Sequence, residues 1–199
     1  SGVNWSVQYK NRNYYINSVS FKDANTGFAV GNFGCLIKTT NAGLNWTPIS
    51  DLTTNTLKVI QFLNASTGFI CGDAANIFKT TNGGNNWNLT TISATNFRSM
   101  YFLNLNTGWV ASGDGVIYRT TNGGTNWSNI YFDGANDIIS LKFLNSNTGW
   151  YSTSITNGVL KKTTNGGVNW TTKLTSAVSG YFMGVDFLND SLGCVVGNN

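Results

Sequence analysis

Few side chains in this 199-residue sequence are suited to acid–base, nucleophilic or metal chemistry. It has no His, and its eight acidic residues are all Asp. A His general base, a Ser-His-Asp triad, a His-bearing zinc site and a Glu proton donor are therefore excluded. Five of the aspartates, Asp51, Asp133, Asp137, Asp186 and Asp190, recur at no equivalent position in the chain. Asp133 and Asp137 share one loop and could converge as a carboxylate pair, although loop aspartates commonly serve only to hold turns. Asp114-Gly115 reads as a hairpin turn, and no acidic cluster suggests a metal. Cys35, Cys71 and Cys194 have no metal-ligand spacing and lie in apolar, strand-like settings, which predicts inert buried thiols. No cofactor is implied.

The charge pattern narrows the field further. Lys and Arg total 12, the formal net charge is +4, and charged residues make up 10% of the chain against roughly 25% in an average soluble protein. Lys161-Lys162 is the only adjacent basic pair, so there is no basic stripe for nucleic acid. No apolar run reaches the ~20 residues of a membrane-spanning helix. No signal peptide heads the sequence, which fits a mature form, a trimmed chain or a cytosolic protein.

The elements that position these residues come from a repeat. Trp5, Trp46, Trp87, Trp127 and Trp170 are spaced by 41, 41, 40 and 43 residues. The last four close the phrases KTTNAGLNW, KTTNGGNNW, RTTNGGTNW and KTTNGGVNW. Upstream of them run FKDANTGF, FLNASTGF, FLNLNTGW and FLNSNTGW, with a diverged fifth copy, FLNDSLGC, from Phe187. Each unit reads as four short strands: one ending in the recurring Phe, one after Thr-Gly, one entering Lys/Arg-Thr-Thr and one after Trp. A period near 41 with four antiparallel strands is that of a β-propeller blade. The expectation is an all-β, five-bladed β-propeller forming one domain over 1–199. Its units are approximately 11–50, 51–91, 92–132, 133–174, and 175–199 together with 1–10. The two termini would share the fifth blade, which lacks a KTTNGG segment. Asn41, Asn82, Asn122 and Asn165 are expected to hold the turns, with Asn-Gly as a tight hairpin dipeptide. A fragment of a larger propeller, or one completed by another chain, is the alternative.

The phrase [ST]-x-[DN]-G-G-x-x-W resembles the Asp-box or BNR repeat, and the whole unit is similar to propellers of photosystem II stability and assembly factors and related bacterial surface proteins. Asn stands at 41, 82, 122 and 165 where those boxes usually carry Asp. Similar boxes decorate sialidases, xyloglucan hydrolases and sortilin-like receptors, so the resemblance implies the fold and leaves activity open. Hydrolysis would draw on Asp133 and Asp137. Sialidase chemistry would need a Tyr-Glu pair and three arginines, and Arg12, Arg98 and Arg119 are the only ones present.

Counting back from each recurring Phe separates the faces of the first strand. Two residues back lie Val19, Ile60, Met100, Leu141 and Val185, all apolar and expected in the core. One residue back lie Ser20, Gln61, Tyr101, Lys142 and Asp186, expected as a varied polar ring around the central channel and as the candidate ligand-binding set. The leading reading is a non-catalytic binding or scaffold module for a protein or other macromolecule, exported in a bacterium to the periplasm, the cell surface or the medium. A lectin-like propeller using Tyr14, Tyr15, Tyr131, Tyr151 or Tyr181 against a glycan, and a fragment of a polysaccharide hydrolase, are the alternatives. Trp87→Ala tests the repeat: removing a core indole costs about 3–5 kcal/mol, read as a sharp drop in Tm.

Overall fold

Apolar–polar alternation ahead of each Phe makes a strand, and Thr-Gly, a short polar loop and the Thr-Asn-Gly-Gly turn punctuate the rest of each unit. The computed structural model describes residues 14–49, 52–134, 136–154, 157–176 and 180–198 and contains five antiparallel sheets. The first holds β1 (Ile16–Phe21), β2 (Gly27–Gly31), β3 (Leu36–Thr39) and β4 (Thr47–Pro48), and the second holds β5 (Leu57–Phe62), β6 (Gly68–Gly72), β7 (Asn76–Thr80) and β8 (Asn88–Thr91). The third comprises β9 (Phe97–Phe102), β10 (Gly108–Ser112), β11 (Val116–Thr120) and β12 (Ser128–Phe132). The fourth comprises β13 (Ile138–Phe143), β14 (Gly149–Thr153), β15 (Val159–Thr163) and β16 (Thr171–Thr175); the fifth pairs β17 (Tyr181–Phe187) with β18 (Gly193–Asn198). Strands follow sequence order in every sheet.

The first strands β1, β5, β9, β13 and β17 stand beside one another in succession. The second strands β2, β6, β10 and β14 are buried along their whole length, and the fourth strands face solvent. The arrangement is a β-propeller with five blades. Ser1 to Tyr9, expected to complete the fifth blade, lie outside the described residues, as do Trp5, Arg12 and Asp51. No helix among the described residues is long and apolar enough to cross a membrane.

Aromatic rings join each blade to the next. Phe28 stacks on Phe62, Phe69 on Phe102, Trp109 on Phe143 and Trp150 on Phe187, with centroids 4.9, 3.8, 3.6 and 4.0 Å apart. Trp46, Trp87, Trp127 and Trp170 each turn an edge toward the recurring Phe of their own blade. These indoles are half-buried lids on the core. The Thr-Gly glycine recurs because the Phe ring lies against it: a Cβ at Gly108 would sit 2.5 Å from Phe102 Cδ1. Of the five residues expected in the core two places before Phe, four are buried, but Val19 is 55% exposed. Among the described residues no sheet packs over that face of β1.

The box turn departs from the expected Asn-Gly hairpin. Positive φ falls on the two residues after Asn, Gly83 and Gly84 in the second blade (φ 71° and 84°). The Asn acts through its side chain instead: Asn82 Oδ1 accepts from Thr80 Oγ1 at 3.0 Å and from the Asn86 N–H at 2.9 Å. Thr80 Oγ1 in turn accepts from Gly84 N–H at 2.9 Å. Asn41, Asn122 and Asn165 repeat this network. Cys35 and Cys71 are buried as expected, and burial pushes both thiols up from their ordinary pKa. Cys194 is exposed, contrary to expectation, because β18 is almost wholly solvent-facing.

In the first box Ala42 occupies the first positive-φ position, at φ 58°. A left-handed conformation costs a non-glycine residue about 1–2 kcal/mol. Ala42→Gly is expected to raise Tm by a few degrees, whereas Gly84→Ala lowers it, since the new Cβ would meet Phe28 Cζ at 2.5 Å. Thermal denaturation of the two variants measures both.

Candidate functional site

Simple alternation along the inner strands fails at one place, and fails five times in the same way. The ladder register slips between Ile16 and Ser18, Leu57 and Val59, Ile138 and Ser140, and Phe182 and Gly184, and opposite Arg98 in β9. Each slip is a β-bulge whose extra residue lies four places before the recurring Phe: Asn17, Lys58, Arg98, Ile139 and Met183. Strict alternation would have sent these side chains into the core. The bulges re-aim them, and all five line a cavity of about 520 Å³ together with Asp137 and Ser154. Because every blade contributes its bulge residue, this cavity is the mouth of the central channel. It opens at the end opposite the box turns.

The mouth is divided chemically. Asn17, Lys58 and Arg98 supply an amide and two cations from the first three blades, while Ile139 and Met183 make an apolar wall on the last two. Arg98 Nε lies 3.2 Å from Asp137 Oδ1. Lys58 has no ion-pair or hydrogen-bond partner among the described residues, and it is half-buried.

The five residues expected to ring the channel lie between neighbouring blades. Ser20 Oγ accepts from the Phe62 N–H at 2.9 Å. Gln61 donates to Phe102 O at 2.9 Å and accepts from the Phe102 N–H at 2.8 Å. Lys142 sits 5.3 Å from the Tyr101 ring centroid and 2.7 Å from Asp186 Oδ1. Burial alone would lower the Lys142 ammonium pKa, but the Asp186 carboxylate and the Tyr101 hydroxyl hold it above its ordinary value. Ser18, Ser99 and Ser140 accept in the same way from Ile60, Leu141 and Val185 N–H. These side chains satisfy the open backbone edge of the next inner strand, which would otherwise be unpaired. Lys142 and Asp186 also line a cleft of about 390 Å³ with Cys194 on the last blade.

Asp133, Asp137, Asp186 and Asp190 are dispersed and committed. Asp133 is buried in an ion pair with Lys161, accepts from Tyr131 Oη at 3.0 Å and binds Asn136 through its backbone carbonyl. Asp137 faces Arg98 in the mouth, and Asp190 lies 2.5 Å from Lys162 Nζ. Asp114 accepts from Ser112 Oγ in the β10–β11 turn, as the sequence suggests. No group of three or more His, Cys, Asp or Glu side chains capable of holding a metal occurs among the described residues. Of the unrepeated tyrosines, Tyr14, Tyr15 and Tyr181 are exposed, while Tyr131 and Tyr151 pack about Trp170 between the third and fourth blades. Sequence reasoning missed the bulge residues. The available signal was Lys58 and Arg98 at positions where alternation demands an apolar residue.

Radial sheets sealed by one recurring turn, with their variable side chains gathered at one end of the bore, define a repeat β-propeller. The sequence profile of the photosynthesis system II assembly factor YCF48 family matches residues 49–198, well over half of the chain, and the chain belongs to that family. Among solved structures it is similar to YCF48 bound to D1 peptide, with 16% identity and a TM-score of 0.56, covering 93% of this chain and 91% of that one. YCF48 from Cyanidioschyzon merolae gives 21% identity and a TM-score of 0.69, covering 87% of this chain and 60% of that one. An ancestral GH74 enzyme gives 21% and 0.70, covering 86% of this chain but only 27% of the enzyme. At such identities these likenesses describe the fold. No curated protein matches the chain in sequence.

Lys161→Met would leave the Asp133 carboxylate buried without its counter-charge and is expected to cost about 3–5 kcal/mol. Adding Asp133→Leu to that variant should restore much of the loss. Urea denaturation of the single and double variants reads the difference.

Proposed function

We propose that this chain is a non-catalytic propeller that holds an extended segment of a partner protein at the channel mouth. The observation that carries the proposal is the convergence of five bulge residues on one cavity, cationic and amide-bearing on one side and apolar on the other. A peptide strand presents that same division: a carboxylate or backbone carbonyls for Lys58 and Arg98, and an aliphatic side chain for Ile139 and Met183. The Lys58 ammonium requires no rearrangement to accept an anion, since no described carboxylate occupies it. The structural likeness to YCF48 bound to D1 peptide supports a peptide as the ligand class.

Hydrolysis is disfavoured by the same geometry. A glycoside hydrolase needs two carboxyl groups facing one substrate, whereas Asp133 is locked to Lys161 and Asp137 is paired with Arg98. The likeness to GH74 enzymes covers less than a third of either one. We place the module outside the cytoplasm of a bacterium, as a scaffold or assembly component. Its low charge and its Asn-, Thr- and Ser-rich surface support that setting.

The test is fluorescence anisotropy with a labelled dodecapeptide of alternating Glu and Leu, against a Lys–Leu control. Binding of the acidic peptide should weaken about tenfold in Lys58→Ala, the equivalent of one charge-assisted hydrogen bond, and should fall as salt rises. Equal binding of both peptides, or an unaltered affinity in Lys58→Ala, would refute the reading.

A further inference from the structure

In the second, third and fourth blades the first glycine carbonyl of the box turn accepts a hydrogen bond from the preceding blade, and the last of these bonds has a different donor. Gly83 O accepts from Lys22 Nζ at 3.1 Å and Gly123 O from Lys79 Nζ at 2.7 Å. Gly166 O instead accepts from the indole Nε1 of Trp109 at 2.9 Å. Trp109 stands where the first two blades carry Phe28 and Phe69, which have no donor to offer. Arg119, the counterpart of Lys79, thereby loses its acceptor. It makes no hydrogen bond or ion pair among the described residues, and its Nε is shut off from solvent without a partner. The Trp109 ring holds it instead, with the guanidinium carbon 5.3 Å from the ring centroid.

The strand register fixes what surrounds that cation. Arg119 pairs with Trp109 on one side and Ser128 on the other, so the three side chains share one face of the third blade. The box turn of the fourth blade packs against this face. A Cβ at Gly166 would sit 2.8 Å from Arg119 Nη1, and one at Gly167 would sit 3.0 Å from Ile130 Cδ1. A cleft of about 390 Å³ opens beside them, lined by Arg119, Thr121, Asn122, Asn126, Ser128 and Ile130. That volume lies within the range of small-molecule sites, and no carboxylate lines the cleft. Its four other polar side chains are exposed. Asn122 uses only its Oδ1, which accepts from Thr120 Oγ1 and the Asn126 N–H, so its NH₂ group is unpaired. Thr121, Asn126 and Ser128 make no side-chain hydrogen bond among the described residues.

We propose that this cleft binds a uronate unit of an acidic polysaccharide, with Arg119 taking the sugar carboxylate. A guanidinium presents two parallel N–H groups to a planar carboxylate, a geometry that the lysines of the other blades do not offer. One cation matches one negative charge per sugar ring, and the unpaired amide and hydroxyl groups match the ring hydroxyls. Ile130 supplies an apolar contact for the C–H face of the ring. The Thr120–Asn122 network holds the turn in place without a ligand, so little ordering is required on binding. The cleft lies at the box-turn end of the blades, away from the channel mouth, and both can be filled at once.

Isothermal titration with tetragalacturonate, against its fully methyl-esterified form, tests the assignment. The acid is expected to bind, and the ester to bind at least about tenfold more weakly. Arg119→Lys keeps the charge but removes the fork, and should weaken binding about tenfold, the equivalent of one charge-assisted hydrogen bond. Ser128→Tyr fills the cleft from the exposed fourth strand and should abolish binding with Tm retained. Four results would overturn the proposal: no binding of the acid, equal binding of the ester, unaltered affinity in either variant, or displacement of the sugar by inorganic phosphate at equal concentration.

Discussion

Everything in this molecule depends on flat rings meeting across the gap between blades. A ring from the second strand of one blade lies face to face with the terminal Phe of the next blade's first strand, and Trp109 and Phe143 approach to 3.6 Å at an interplanar angle of 5°. Such stacking sets how far apart two sheets sit and how they rotate about the axis. The Thr-Gly step is the condition for it. With no side chain at Gly108, the Phe102 ring can lie directly on the backbone, leaving its other face for Phe69. The half-buried indole of each box then closes the outer side of the pair.

Hydrogen bonding at the bore follows from that spacing. Once rings fix the distance between inner strands, a serine is the right length to reach the next backbone, and it does so from Ser18, Ser20, Ser99 and Ser140. Gln61 spans the same gap with both ends of its amide. Between the last two blades an ion pair adds to the serine contact, with Lys142 held by Asp186 and backed by Tyr101. Residues that look like a ligand ring because they vary are varied solutions to one joining problem.

The sequence made the blade count, strand order and turns legible because each depends on local chemistry that recurs: Thr-Gly under a ring, Asn capping a turn, Trp closing a box. The site was less legible. Its five residues are defined by a register slip that is not visible in the order of residues along one strand; it arises from how two strands pair. Lys58 and Arg98 hinted at it by breaking the pattern, but Ile139 and Met183 fit the pattern and gave no sign. Asp133 misled for a different reason. A carboxylate in a loop looks available, and only the fold shows that Lys161 arrives from β15, the third strand of the fourth blade, to neutralise it. Exposure of Val19 and Cys194 was equally hidden, since it depends on what stands beside the first and last sheets and not on their own composition.

The repeated bulge separates two kinds of inheritance. A residue pushed out of the ladder carries no share of ring stacking or turn capping, so it is freer to drift than its neighbours. Each blade thus offers one interchangeable position to a common rim. Five independent choices from the amino-acid alphabet give millions of rims on a single frame. Related chains built this way can diverge in what they grasp long before they diverge in shape.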